Sequence, residues 1–173
     1  MKMNDTIEIN AAPTVVYAAL LDPQVLLASV PGASRVTGTP DDGYDATVTQ
    51  KVGPVKATFK GRVTMSDMVK GECLTISGEG RGRTAGYAKG DARVTFASTE
   101  TGGTLLSYDV EARVGGKLAQ LGSRIIDGFA RKMADRFFRN LRDMIEGPDE
   151  ADDEGADDEP PPEGLLGRLT GRN

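Results

Sequence analysis

The sequence predicts an α+β fold in which a curved antiparallel sheet packs against one long C-terminal helix. Two observations lead to this prediction. Apolar and polar residues alternate in six successive segments between residues 35 and 114, and the apolar spacing then changes to three or four residues from Gly116 onward. Alternation with a period of two is typical of strands that have one solvated face, whereas the second spacing is typical of an amphipathic helix.

The first elements are a strand and two short helices. Ile7 and Ile9 alternate with Glu8 in a predicted strand over Met3–Ile9. Proline is favoured in the first turn of a helix, so Pro13 is expected to begin a helix over Pro13–Leu21. Asp22-Pro23 starts a second short helix, which ends at Pro31-Gly32.

Six strands follow, and Gly-rich or Asp-rich turns separate several of them. Their predicted ranges are Arg35–Gly38, Tyr44–Val52, Val55–Met65, Leu74–Gly80, Ala88–Phe96 and Thr104–Val114. Short turns between alternating segments indicate an antiparallel meander with one polar and one apolar face.

The last element is predicted to be a single helix over Gly116–Glu146. It would be about 46 Å long, enough to cross the whole sheet. Gly147-Pro148 is a typical helix end. Because the apolar face of the sheet must be covered, this helix is expected to cover it.

The charges divide the chain into a body and a tail. The segment from Gly147 to the end has 9 acidic and 2 basic residues, which leaves 17 acidic and 19 basic residues in the body. We therefore predict one domain over 1–146, a disordered acidic linker over 147–164 and an apolar, basic tip over 165–173. A body so close to neutrality does not predict nucleic-acid binding.

The chain lacks residues that several kinds of catalysis and binding require. The chain has no His, which excludes His-based acid–base catalysis, and its single Cys excludes an intrachain disulfide. The sequence from Gly80 to Ala85 matches a G-x-G-x-x-A pattern, but it precedes a predicted strand rather than a helix, so nucleotide binding is not expected. We predict no catalytic residues, no metal and no cofactor. The N-terminal segment lacks the apolar run of a secretory signal, so a cytoplasmic location is expected.

The predicted inner face of the sheet is unusually rich in small residues. Ala and Gly alternate there with larger apolar residues, which leaves volume between sheet and helix, and an empty cavity costs about 24 cal/mol per Å3. An apolar small molecule is therefore expected to fill it. The alternative is a compact core in which small residues let the helix sit close. The residues predicted to line the cavity are Val48, Ala57, Phe59, Val63, Ala92, Val94, Leu121, Ile125, Phe129 and Met133.

Two surfaces are candidates for docking. Lys117, Arg124, Arg131 and Arg139 form a predicted basic stripe on the outer side of the long helix, which is either a partner-docking surface or a solvated face. In the tip, Leu165, Leu166, Arg168 and Leu169 are predicted to make weak, peripheral membrane contact. The alternative for the tip is a frayed terminus without function.

Four stretches of the sequence resemble the CoxG-type family of carbon monoxide dehydrogenase subunits, within the START and polyketide-cyclase-like (SRPBCC) superfamily. They are the Val30-Pro31-Gly32 corner, KVGPVKATFKG (Lys51–Gly61), GEGRGRTAGYAKGDARV (Gly78–Val94) and VGGKLAQLGSRIIDGFARKMADRFF (Val114–Phe138). The last stretch is the most specific. The resemblance extends over about Met1–Ile145 and leaves the tail outside.

This resemblance implies a helix-grip fold with an internal apolar cavity. It also implies a non-catalytic accessory of a cytoplasmic molybdenum hydroxylase of the carbon monoxide dehydrogenase type, which it helps to reach the inner face of the cell membrane. Such an enzyme passes electrons to a membrane acceptor, so a quinone or another isoprenoid lipid is the expected ligand. Two alternatives remain: a cyclase-like or hydrolase-like enzyme of the same superfamily, and a protein adaptor with a filled core.

Overall fold

The sheet follows the chain almost in sequence order. The computed structural model describes residues 1–147, and its seven strands are arranged in the order β1-β7-β6-β5-β4-β3-β2. Every neighbouring pair is antiparallel. The strands are β1 (Lys2–Ile9), β2 (Ala33–Thr39), β3 (Gly43–Val52), β4 (Val55–Val69), β5 (Cys73–Gly82), β6 (Gly86–Ser98) and β7 (Thr104–Gly115). The predicted antiparallel meander is confirmed, and β1 adds a further edge by pairing with β7.

Two short helices connect β1 to β2, as the prolines predict. They are α1 (Pro13–Leu21) and α2 (Pro23–Ser29), and the Asp22 carboxylate caps α2 by accepting a hydrogen bond from the Gln24 amide at 2.9 Å. The Tyr44 hydroxyl donates to the Leu21 carbonyl at 2.6 Å, which ties the end of α1 to β3. Burial raises the pKa of Tyr44, and the nearby Asp22 charge raises it further, so this hydroxyl remains a donor at neutral pH.

The prediction of one helix over Gly116–Glu146 is wrong in one respect. The segment forms a 3-10 helix over Gly116–Leu121, then breaks, and continues as α3 (Ser123–Glu146). The break lies at Gly122, whose φ of 90° and ψ of 155° are incompatible with a helix. Apolar spacing carries no information on such a break, because the 3-10 turn keeps its apolar residues on the same side. The helix that crosses the sheet is therefore about 36 Å long.

Strand β4 extends beyond its predicted end at Met65. It continues to Val69 through a bulge between Ser66 and Val69, where Asp67 has a positive φ of 49°. The Thr75 hydroxyl on β5 donates to the Asp67 carboxylate at 3.1 Å. The bulge interrupts the alternation, so the sequence pattern ended too early.

The apolar residues form two separate clusters. The larger one joins α1 and α2 to the sheet and to the C-terminal half of α3, and it includes the fully buried Leu20, Leu74, Leu106 and Leu141. The smaller one has three buried residues, Val52, Ala85 and Leu118, near the β3–β4 and β5–β6 turns. The core is thus dense at one end of the sheet and thin at the other.

The predicted linker over 147–164 and the tip over 165–173 lie outside the described residues, apart from Gly147. Within residues 1–147, none of the helices combines the length and the hydropathy that a membrane crossing requires.

Candidate functional site

Small residues occupy two neighbouring rows on the inner face of the sheet. In one row Ala46, Gly61, Gly80 and Ala88 are successive cross-strand partners. In the next row Val63 pairs with Gly78, Gly78 with Gly90, and Gly90 with Ala112. The register therefore confirms that these residues share one face, as their alternation predicted.

These two rows form the floor of an apolar concavity of about 300 Å3. It lies between the two apolar clusters, and it is open to solvent. Larger apolar side chains from β3 and β4 form its wall. Charged residues that point outward from β4, β5 and β6 lie at its border. The residues that line it are Ala46, Val48, Phe59, Gly61, Arg62, Val63, Gly78, Glu79, Gly80, Ala88, Lys89, Gly90 and Ala112.

The glycines of the floor are of two kinds. A β-carbon on Gly61 would collide with the Glu79 carbonyl oxygen, and one on Gly90 would lie 2.7 Å from the Glu111 carbonyl oxygen, so close strand approach requires glycine at both. At Gly78, by contrast, a β-carbon would meet nothing nearer than Val63 Cγ2 at 3.6 Å, an ordinary contact. No backbone constraint accounts for glycine at this position.

Gly78 also distinguishes a cavity from a compact core. If small residues let α3 sit close to the sheet, a β-carbon on Gly78 would contact the helix. Its two neighbours within 4 Å are instead Val63 and the Arg62 carbonyl oxygen, both on the sheet. Glycine at this position therefore leaves space above the sheet rather than room for α3.

On the helix side, three residues one turn apart connect the two clusters. Phe129 packs against the smaller cluster and Phe137 against the larger one. Met133 lies one turn from each and is half-buried. None of these three helix residues is among those that line the concavity.

The predicted cavity-lining residues fall into several environments. Val48, Phe59 and Val63 line the concavity. Ala57, Leu121 and Phe129 pack against the smaller cluster. Ala92 is half-buried on the inner face, one cross-strand pair beyond Gly90 along β6.

Seven of the ten predicted lining residues are therefore not among those that line the concavity, and two of these seven have surroundings that differ most from the prediction. Val94 is fully buried in the larger cluster. Ile125 is 40% exposed and lies beside Gly53 in the β3–β4 turn, while Ile126 packs against the smaller cluster. The helical stripe is therefore rotated by one residue from its expected position at the start of α3, where the Gly122 break resets the helix.

Two polar residues occupy inward positions on the sheet beyond the lining of the concavity, and neither was predicted as a site residue. Gln50 occupies an inward position on β3, two residues beyond Val48, and its Nε2 donates to the Pro31 carbonyl at 2.5 Å. At the other end, Asp5 on β1 pairs with Tyr108, an inward residue of the larger cluster. Asp5 is exposed, and its Oδ1 accepts a hydrogen bond from the Thr6 amide at 2.8 Å. The signal for Asp5 was its place in an alternating strand, between Met3 and Ile7.

The Tyr108 ring stacks on Phe138 of α3 with a centroid distance of 4.4 Å. Burial raises the pKa of Tyr108, the Asp5 and Asp135 charges raise it further, and Arg131 opposes them. The phenol therefore stays protonated and can donate a hydrogen bond at any physiological pH.

The predicted docking residues are all exposed, but they do not form one helical stripe. Arg124, Arg131 and Arg139 lie on α3, whereas Lys117 belongs to the 3-10 helix before the break. The predicted membrane-contact residues Leu165, Leu166, Arg168 and Leu169 lie outside the described residues. Within residues 1–147, no group of three or more His, Cys, Asp or Glu side chains is placed to hold a metal ion.

Comparison with known proteins gives a family and a fold. The family model that describes the CoxG subunit of carbon monoxide dehydrogenase matches residues 6–146. No curated protein matched the chain.

The similar solved structures have low sequence identity. A conserved protein from Geobacillus kaustophilus is 23% identical, with a TM-score of 0.78 over 84% of this chain and 95% of that one. A START superfamily protein from Mycobacterium smegmatis is 14% identical, with a TM-score of 0.62 over 84% and 97% of the two chains. The Zhui aromatase/cyclase from a Streptomyces species is 12% identical, with a TM-score of 0.59 over 84% and 93%. At these identities the likeness shows the fold alone, and it confirms the helix-grip prediction.

Proposed function

Because this chain belongs to the CoxG family of carbon monoxide dehydrogenase subunits, we propose that it is a non-catalytic accessory protein that holds an apolar ligand between its sheet and α3. The observation that carries this proposal is the apolar concavity of about 300 Å3 between the two clusters. Its floor keeps a glycine at position 78 that no backbone contact requires. Volume that is kept without steric need supports a bound guest.

The lining suggests the chemistry of the ligand. Aliphatic side chains, one aromatic ring and glycines form the inner surface, so the bulk of the guest is apolar. The Gln50 side chain is the nearest inward polar group along β3, and its amide oxygen can accept a hydrogen bond from a polar end. An isoprenoid quinone, which joins a polar ring to a long apolar tail, fits these requirements.

The partner proposed for this protein is a molybdenum hydroxylase of the carbon monoxide dehydrogenase type. The family name supports an association with carbon monoxide dehydrogenase. Arg124, Arg131 and Arg139 on α3 are exposed and would meet an acidic surface of the enzyme. In this proposal the protein brings the cytoplasmic enzyme to the inner face of the membrane, where its electron acceptor is dissolved.

Organic extraction tests the carrier function directly. Protein purified from its native host without detergent is expected to release an isoprenoid quinone or a similar lipid in roughly stoichiometric amount, measured by mass spectrometry. Native mass spectrometry should show the same mass on the intact protein. Protein that is lipid-free by both methods and takes up no added quinone would favour the alternative of an adaptor with a filled core.

The enzyme alternative makes a different prediction from the same lining. Cyclases and hydrolases need acid–base groups that point into the site. The inner-face positions that line the concavity hold only apolar residues and glycine. A carrier should therefore return its quinone chemically unchanged after prolonged incubation, and a modified product would support the enzyme.

The tail gives a prediction of its own. Removing residues 165–173 deletes three leucines and two arginines, which together supply only weak attachment to a membrane surface. We expect this truncation to reduce flotation with anionic liposomes while leaving the bound lipid unchanged. Equal flotation of the truncated and full chains would mean that the tip adds nothing to membrane attachment.

A further inference from the structure

Exposed charges are segregated on the outer face of the sheet. The half next to the β3–β4 and β5–β6 turns, counted together with those turns and with Lys117 of the 3-10 helix, has ten exposed basic residues and only two acidic ones, Asp45 and Glu79. We call these ten the basic face: Arg35, Lys51, Lys56, Lys60, Arg62, Arg81, Arg83, Lys89, Arg113 and Lys117. The other half of the outer face, with its turns, has three basic residues among nine acidic ones. The folded domain is therefore nearly neutral in total, but its positive and negative charges lie on different halves of the surface.

A groove lies within the basic face. It has a volume of about 270 Å3 and is lined by Arg81, Lys89 and Arg113, with Tyr87 beside them. The Arg81 guanidinium lies over the Tyr87 ring, 5.4 Å from its centroid. Glu79 is the one acidic residue in the lining. Three cations around a groove of this size suit a phosphate group.

Exposed apolar residues accompany these cations. Ile125 is 40% exposed beside the β3–β4 turn, and Tyr87 is 38% exposed on the outer face. Pro54 forms the exposed tip of the same turn. Cations next to exposed aliphatic and aromatic side chains are typical of surfaces that lie in the headgroup region of a bilayer.

We propose that the basic face docks the folded domain on an anionic phospholipid surface, with a headgroup phosphate in the groove of Arg81, Lys89 and Arg113. An acidic protein is the competing occupant. Five of the ten cations are lysines, and lysine is depleted in protein–protein interfaces, whereas lysines near an anionic bilayer each add to binding. The lysine content, together with the exposed Ile125 and Tyr87, favours lipid.

The basic face lies at the same end of the domain as the ligand site, so docking would bring that site close to the membrane. The basic face surrounds the thin end of the core, where Val52, Ala85 and Leu118 are the only buried members of the smaller cluster. The concavity lies next to this cluster. Docking would therefore turn the thin end of the core, which borders the ligand site, toward the membrane. The docking itself needs only the charges, but this use of it depends on the proposed carrier function.

Vesicle binding by the full chain tests the docking. The triple variant Lys51→Gln, Lys56→Gln and Lys60→Gln removes three exposed cations that make no ion pair within residues 1–147. On vesicles with one third anionic phospholipid, we expect its partition coefficient to fall roughly 100-fold at low salt. The wild-type protein should bind zwitterionic vesicles weakly, and its binding to anionic vesicles should weaken as salt is raised.

A charge-matched control separates the basic face from the α3 surface. Arg131→Gln, Lys132→Gln and Arg139→Gln together remove the same charge from exposed helix positions. This control is expected to bind vesicles within about threefold of wild type. Equal losses in both variants, or no loss in the first, would overturn the proposal. Loss of acidic-protein binding with unchanged vesicle binding in the Lys51/Lys56/Lys60 variant would assign the basic face to a protein instead.

A fluorescence measurement locates the contact. The chain has no Trp, so single Trp residues at two comparably exposed apolar positions can report depth: Ile125→Trp at the basic end and Leu105→Trp on β7, which are 40% and 38% exposed. Anionic vesicles should shift only the Ile125→Trp emission to the blue, and bromolipids should quench it. A response at Leu105→Trp alone would contradict the orientation. Lipid content is measured on the same samples, so a protein that docks but holds no quinone refutes the carrier function and leaves the docking intact.

Discussion

Replacing Gly78 with leucine is expected to abolish ligand retention while the protein stays folded. Gly78 lies at the centre of β5, on the floor of the concavity, and its backbone does not need a positive φ. The new β-carbon would meet only Val63 Cγ2 at 3.6 Å and the Arg62 carbonyl oxygen at 3.8 Å. The rest of the side chain would extend into the space of about 300 Å3 above the floor. We expect at least a tenfold loss of co-purified lipid.

The stability of this variant separates a carrier from a compact core. Burying a leucine side chain in otherwise open apolar space contributes about 2 kcal/mol. Lipid-free Gly78→Leu should therefore unfold at the same or a higher urea concentration than lipid-free wild type. In a filled core the extra atoms would have no space, and overpacking would cost about 1–3 kcal/mol.

Gly128→Leu is the matched control for this substitution. Gly128 lies on α3, and nothing lies within 4 Å of a β-carbon placed there. The change adds the same side chain outside the concavity, so lipid content should stay at the wild-type level. If Gly78→Leu and Gly128→Leu both keep their lipid, the ligand does not occupy the concavity.

The sequence predicted the sheet because its physical cause is local. Alternation in segments such as Val55–Met65 places residues on faces without any knowledge of the partner strand, and the observed register confirmed those faces. The same alternation placed Ala46, Gly61, Gly78 and Ala88 on the inner face. Close approach of the neighbouring strand requires glycine at position 61 but not at position 78. Alternation could not reveal this difference, because it depends on neighbours that are distant in sequence.

The break at Gly122 and the basic face were not predictable in the same way. An isolated glycine in a helical pattern is tolerated at a modest cost and does not by itself end a helix, so the pattern did not predict the positive φ at Gly122. The basic face arises from residues on six strands, from Arg35 to Arg113, together with turn and 3-10 residues, which the sheet register brings together. The net charge of the folded domain is near zero, and a net charge gives no information on where the individual charges lie.

The second large effect is expected at the C-terminal half of α3. Phe138 and Leu141 are the only buried residues of this helix, and both lie in the larger cluster. Leu141 has no exposed surface. Leu141→Ala should therefore lower the free energy of unfolding by about 3 kcal/mol, the middle of the range for buried leucines. Urea denaturation of lipid-free protein measures it.

Ile125→Ala on the same helix provides the comparison. Ile125 is 40% exposed, so its loss should cost about 1 kcal/mol or less. The two variants together test whether α3 is held mainly at the end where the larger cluster lies. Equal losses of stability would mean that both ends of α3 are held alike, and would contradict the view that the core is weaker at the end where the smaller cluster lies.

Hydrogen exchange extends this comparison from stability to motion. Amides of residues 123–130 are expected to exchange by local opening, well before those of residues 136–143, because few buried contacts oppose the opening. Leu141→Ala should accelerate exchange in both halves, since it weakens the anchor of the whole helix. Ile125→Ala should accelerate exchange only in residues 123–130.

If ligand enters at the thin end, Ile125→Ala should also speed quinone exchange with vesicles while leaving the midpoint of unfolding nearly unchanged. A rate that follows global stability instead would show that the ligand leaves only when the whole domain opens.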